Sequence, residues 1–110
     1  MPATVFLIHD AANDLNELYE YIALHDEPGR ADHVLGKIEK AFARLSEFPE
    51  RGAYPGELLA LGIREYREIF FKPYRMIYRV MDKNVYILLI ADGRRDMQTL
   101  LQRRLLGGDL

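Results

Sequence analysis

The run Val85–Ala91, VYILLIA, carries no charge and almost no polar atom over seven consecutive residues. It is far short of the roughly 18 apolar residues that a membrane-spanning helix needs. Its β-branched and aromatic content predicts a strand instead. A strand apolar on both faces must be central, with a layer packed on each side. The rest of the chain therefore has to supply a sheet around it and helices to cover it.

The covering helices are legible upstream. Leu15, Leu18, Tyr19 and Ile22 recur at helical spacing and predict a helix from Ala11 to about His25, with Asp10 as its N-cap. The chain turns at Asp26-Glu27-Pro28-Gly29, with Pro28 suited to the first turn of the next helix. Ala31, Val34, Leu35, Ile38, Ala41, Phe42, Leu45 and Phe48 form a sustained apolar stripe on that second helix, which Pro49 and Gly52 end. The short connection predicts an antiparallel αα-hairpin. Paired carboxylates such as Asp14/Glu17 and Glu17/Glu20 fall on its outer, solvated side.

Thr4–His9 (TVFLIH) predicts a first strand, and residues 49–63 a loop with one helical turn near Leu58–Ala60. Arg64–Lys72 and Tyr74–Met81 predict two more strands, with turns at Pro73 and at Asp82-Lys83-Asn84. Tyr74, Met76, Tyr78 and Val80 share one face of the second; Arg75, Ile77 and Arg79 share the other. A last short helix runs from about Asp96 to Leu106, stopped by Gly107-Gly108. The order β-α-α-β-β-β-α predicts an α+β fold: an N-terminal strand, an antiparallel αα-hairpin, a three-stranded antiparallel meander and a short C-terminal helix. At 110 residues this is a single domain, 1–110.

The chain has no cysteine, which excludes disulfides and thiol chemistry and fits a reducing cytoplasm. The opening MPATVFLIHDAAND does not resemble a signal peptide, and no membrane role is expected. The formal charge of −2 hides a split. Residues 1–50 carry −6 and residues 51–110 carry +4, so the C-terminal half can present a basic face.

His9, His25 and His33 show no metal-ligand spacing, and no nucleotide-binding or nucleophile motif occurs, so neither metal nor cofactor is expected. The tyrosines of the sheet region are expected to pack in strands. The arginines concentrate the remaining possibilities. Arg67, Arg75 and Arg79 lie on adjacent predicted strands, and Arg94 and Arg95 just past the third. Guanidinium groups bind phosphate or carboxylate bidentately. A twisted sheet with a recessed face would bring several of them into one concavity, suited to RNA backbone or to an acidic protein segment. Ion pairs to Glu65, Glu68, Asp92 and Asp96 are the competing structural use.

This succession of elements, with PYRMIYRV followed by VYILLIADGRRDM, resembles the RelE/ParE superfamily of bacterial toxins from type II toxin–antitoxin modules. The resemblance covers essentially the whole chain and rests on the Tyr74–Tyr78 core and on Gly93-Arg94-Arg95-Asp96. It implies one of two activities. RelE-like members cleave mRNA on the ribosome without metal; ParE-like members bind DNA gyrase and trap it on cleaved DNA.

Arg75 matches the superfamily arginine of the YR motif, and Arg95 the basic residue after the glycine. The lysines of RelE-like nucleases are replaced by Tyr66 and Glu68, and the late aromatic by leucine. Metal-free cleavage needs a base, an acid and cations for the developing charge. Were the chain RelE-like, Arg75 and Arg95 would supply the cations, and Tyr66 or Tyr78 the proton chemistry; no catalytic residue is assigned with more than that. The pattern favours the ParE-like class, encoded on a chromosome or a plasmid. The resemblance implies a cognate antitoxin whose tail adds a helix against the αα-hairpin and a strand to the sheet. Arg67 and Arg75 are expected to face it. A member that keeps only the antitoxin-binding role is a further alternative.

Overall fold

The computed structural model describes residues 2–105. Strand β1 (Thr4–Leu7) leads into helices α1 (His9–His25) and α2 (Arg30–Glu47). A one-turn helix α3 (Gly56–Leu59) precedes β2 (Arg67–Phe71), β3 (Tyr74–Met81) and β4 (Asn84–Asp92), and α4 (Met97–Leu105) follows. The proposed stop at Gly107-Gly108 lies outside the described residues. No described helix is long and apolar enough to cross a membrane.

The sheet order is β1-β4-β3-β2. The meander is antiparallel as expected, and β1 joins it parallel to β4, with Val5 opposite Val85 and Leu7 opposite Ile87. A parallel pair cannot be joined by a tight turn; between β1 and β4 the chain builds the αα-hairpin, α3, β2 and β3. VYILLIA is thus central and covered twice. On one face Val85, Ile87 and Ile90 join Met76, Tyr78, Ile38 and Leu45 in the main core beneath α1 and α2. On the other, Leu89 and Ala91 meet Ile77, Leu58, Met97 and Leu101 in a smaller core under α3 and α4.

A β-bulge makes this double use possible. Ile77 pairs with Leu89 and Tyr78 with Ile87, so Leu88 has no partner and the alternation of β4 shifts there. The two-residue turn Asp82–Lys83 closes the β3–β4 hairpin, with Asp82 at φ 57°, a left-handed conformation that Asp tolerates better than most residues.

Some boundaries differ from expectation. The N-cap of α1 is Ile8, and Asp10 sits inside the first turn. The N-cap of α2 is Gly29 at φ 86°, which leaves Pro28 outside the helix. Residues 64–66 precede β2, whose pairing with β3 begins at Arg67.

Candidate functional site

Strand alternation separates the five arginines. Arg67 pairs with Tyr78 and shares its face, toward the αα-hairpin, whereas Arg75 and Arg79 pair with Ala91 and Tyr86 on the opposite face. Arg94 and Arg95 are exposed on the turn after β4. They do not converge on one concavity.

Arg67 is spent on the loop that follows α2. Its guanidinium donates to the carbonyls of Gly52 (2.8 Å) and Glu50 (3.2 Å) and to the Tyr54 hydroxyl, and lies 4.7 Å from the Tyr54 ring centre. The same loop is fixed from beneath. Tyr78 is fully buried, and its hydroxyl accepts the Gly52 N–H at 2.9 Å. Burial pushes the Tyr78 phenol up from its ordinary value. A Cβ on residue 52 would stand 2.5 Å from the Glu68 carbonyl oxygen and 2.7 Å from the Tyr78 hydroxyl, so only glycine crosses the sheet edge here.

Arg75 sits between two carboxylates. Glu57, on α3, accepts both terminal nitrogens at 2.8 Å, and Glu68 accepts Nε at 2.8 Å. The two acids shift oppositely. The Arg75 hydrogen bonds hold the Glu57 carboxyl below its ordinary value. Glu68 is buried, and desolvation outweighs its share of Arg75 and pushes it up. Arg75 is raised further, chiefly by the Glu57 bonds. With both acids ionised, the cluster carries net −1, the wrong sign for a phosphate.

Arg79 lies 5.7 Å from the Tyr66 ring centre, and Phe6 and Tyr86 stack at 5.4 Å beside it. Arg94 folds onto Asp92, with Nε at 2.9 Å, and holds that carboxyl down. Asp96 caps α4 through the Thr99 N–H (3.2 Å) and hydroxyl (2.7 Å). Among the described residues the Arg95 side chain makes no hydrogen bond or ion pair, and Glu65 forms none with any of these arginines.

Sequence reasoning missed three features. Glu57 fell in a stretch read as loop, although its place before Leu58 in a helical turn was a usable signal. Asp14, assigned to the solvated side of α1, is instead half-buried. It accepts the Ile90 N–H at 3.0 Å and pairs with Arg104 at 2.8 Å, while Arg104 also donates to the unpaired Leu88 carbonyl at 2.7 Å. The bulge is thereby tied to α1 and α4. The third feature is a groove of about 580 Å³ between α2 and the free edge of β2, with Lys37, Lys40, Arg44 and Arg51 on its walls. No group of three or more His, Cys, Asp or Glu among the described residues could hold a metal ion.

The architecture is shared with solved toxin structures. The chain superposes on a component of the chromosomal ParDE toxin–antitoxin system from P. aeruginosa with a TM-score of 0.68 at 22% identity, covering 82% of this chain and 95% of that one. A chain of the RelBE2 toxin–antitoxin complex from Mycobacterium tuberculosis gives 0.58 at 27% identity over 84% and 99%. A variant of E. coli toxin RelE in the free state gives 0.62 at 14% identity over the whole of both chains. The class is thus the RelE/ParE toxin fold.

Within that class the sequence is more specific. Residues 5–97 match the family described as ParE toxin of the type II toxin–antitoxin system, parDE, and the chain belongs to that family. It is also 30% identical over 93 residues to Toxin ParE3 of Caulobacter vibrioides, covering 84% of this chain and 89% of that protein.

Proposed function

We propose that this ParE-family protein inhibits DNA gyrase by stabilising its cleaved-DNA complex, and that a cognate antitoxin neutralises it. The observation that carries the choice of target is the condition of Arg75. The one arginine that matches the superfamily motif within the sheet has Nε and both terminal nitrogens taken by the carboxylate oxygens of Glu57 and Glu68. RNA cleavage without metal requires cations aimed at the phosphate, with an acid and a base beside them. Here the buried Tyr78 hydroxyl is committed to Gly52, and Tyr66 is stacked with Arg79. A toxin that acts by binding needs none of that machinery. The exposed Arg94–Arg95 turn then offers a basic contact for gyrase or its DNA. Such a target places the action in the cytoplasm.

The test is a gyrase assay on relaxed plasmid with ATP, stopped with detergent and protease. Linear DNA accumulating with loss of supercoiling is the expected result. Normal supercoiling with protein in large excess over gyrase overturns the reading. Primer extension on ribosome-bound mRNA then separates an endonuclease, which yields new ends within codons, from a member that only binds its antitoxin.

A further inference from the structure

We infer that the groove between α2 and the edge of β2 is a binding site for a compact polyphosphate: the phosphate chain of a free nucleotide or of inorganic polyphosphate. The site depends on neither the gyrase target nor the antitoxin.

Its cations are uncommitted. Lys37, Lys40 and Arg44 lie three and four residues apart on one side of α2, and Arg51 faces them from the loop. All four side chains are exposed, and none makes a hydrogen bond or ion pair among the described residues. The one acid at the groove, Glu68, is buried and bonded to Arg75. Elsewhere in the fold the arginines are spent internally: Arg75 and Arg94 hold carboxylates, and Arg67 holds the carbonyls of Glu50 and Gly52.

The strand edge adds a main-chain donor. The Glu68 N–H points away from β3 and donates to the Ala53 carbonyl at 2.8 Å. Alternation turns the Phe70 N–H to the same outer side, and it has no partner among the described residues. Four cations and this amide thus border one recess of about 580 Å³. Ammonium, guanidinium and main-chain N–H groups are the donors that hold phosphate oxygens.

The density of charge chooses among anions. Lys37 to Arg44 span only about 10 Å of helix, at a rise of about 1.5 Å per residue. An extended acidic peptide carries the side chains of one face about 6.6 Å apart, so about two carboxylates would meet the four cations. A DNA duplex is convex, and its backbone would touch the rim without entering the recess. A phosphate chain carries negative charge on every unit and is slim enough to enter.

The test is calorimetric titration of the purified chain at low salt with inorganic triphosphate, ATP, orthophosphate, octaglutamate, a 20-base oligothymidylate and a 20-base-pair duplex. Triphosphate and ATP are expected to bind at least about tenfold more tightly than orthophosphate and octaglutamate, with affinity falling as salt rises. Equal affinity for triphosphate and ATP assigns the site to the phosphate chain itself, and tighter ATP to a free nucleotide; both support the inference. The triple variant Lys37→Glu/Lys40→Glu/Arg44→Glu is expected to weaken triphosphate about 100-fold, and the Phe70 amide resonance of the unmodified chain to shift on titration. The three substituted residues are solvent-exposed helix positions, and an unchanged denaturation midpoint verifies that the variant is folded. If the midpoint moves, Lys37→Gln/Lys40→Gln/Arg44→Gln carries the same test, with about a tenfold loss expected. Triphosphate that binds no more tightly than orthophosphate, or that keeps its affinity in the folded variant, overturns the inference. Tighter binding of octaglutamate also overturns it and makes the groove a peptide site; tighter binding of either oligonucleotide does the same and makes it a nucleic-acid surface.

Discussion

Gly93 leaves open the space that the Arg75 side chain fills. A Cβ on residue 93 would stand 2.7 Å from Arg75 Cδ, 3.0 Å from its Cγ and 3.2 Å from the Pro73 carbonyl oxygen. The YR of β3 and the glycine after β4 are thus one packing unit. The stem cannot swing aside freely, because its guanidinium is pinned at both ends by Glu57 and Glu68. Gly93→Ala is expected to destabilise the fold by about 1–3 kcal/mol through overpacking. The cost should shrink when Arg75→Ala is already present, since the two changes share one contact. Urea denaturation of the four-member cycle measures both quantities; additive costs would show that the contact does not matter.

The opposite shifts of Glu57 and Glu68 predict opposite pH dependences. For Glu57, whose folded-state carboxyl is lowered, ionisation contributes stability that is complete above its unfolded pKa and is lost as pH falls through the folded value. For Glu68, whose folded-state carboxyl is raised, there is no such cost below the unfolded pKa; a cost accumulates as pH rises through the folded value. Relative to the unmodified chain, Glu57→Gln should therefore become more destabilising from pH 4 toward pH 7, and Glu68→Gln less so. At neutral pH the Glu57 change is expected to cost about 1.5–3 kcal/mol, the range for hydrogen bonds to charged groups. Parallel denaturation curves across that window decide the matter, and slopes of the same sign for both variants would refute the assignment.

These groups also show what a sequence discloses. The elements and their order follow from period alone: VYILLIA needs two covering layers, and the stripe from Ala31 to Phe48 supplies one of them. What is not legible is which polar side chains find each other across the fold. Asp14 and Glu17 look alike as helix-surface acids, and nothing local says that Asp14 meets Arg104 across 90 residues of chain. The decisive event is the bulge at Leu88, which frees a carbonyl that only a distant cation can satisfy. The face of Arg67 is hidden for a related reason, since it depends on register with Tyr78 and not on the composition of β2.

The Asp14–Arg104 pair makes its own prediction. Asp14 accepts the Ile90 N–H, which lies beyond the last residue of β4 that β1 reaches. Asp14→Ala strips that amide and removes one carboxylate from the half-buried Arg104 guanidinium. A loss of about 3 kcal/mol is expected, at the low end for breaking a buried ion pair. Amide exchange at Ile90 should accelerate more than at Ile87, which lies within the β1 register. Equal acceleration at both would mean global destabilisation in place of a local tie.

Tyr78→Phe isolates one hydrogen bond in the main core. The ring stays, and only the acceptor of the Gly52 N–H is removed. An unsatisfied buried amide costs about 1–3 kcal/mol. The Arg67 anchor on Gly52 keeps the loop in place, so the change should lower stability without altering antitoxin affinity. Calorimetric titration of the variant separates the two; weaker antitoxin binding at unchanged stability would make the hydroxyl part of the interface.

Arg95 is the sharpest probe of the target. Its neighbour Arg94 is folded onto Asp92, so reversing Arg94 would disturb the turn as well as the surface. The Arg95 side chain is exposed and has no hydrogen bond or ion pair among the described residues. Arg95→Glu is therefore expected to leave the denaturation midpoint unchanged. If the basic turn contacts gyrase or its DNA, the protein concentration needed to trap cleaved complexes should rise about tenfold or more, with the difference narrowing at high salt. Arg95→Lys should retain most of the activity, because a surface electrostatic contact asks for charge more than for guanidinium geometry. Full trapping by the glutamate variant at unchanged concentration would remove this turn from the target-binding surface and direct attention to the sheet face around Arg79 and Tyr66.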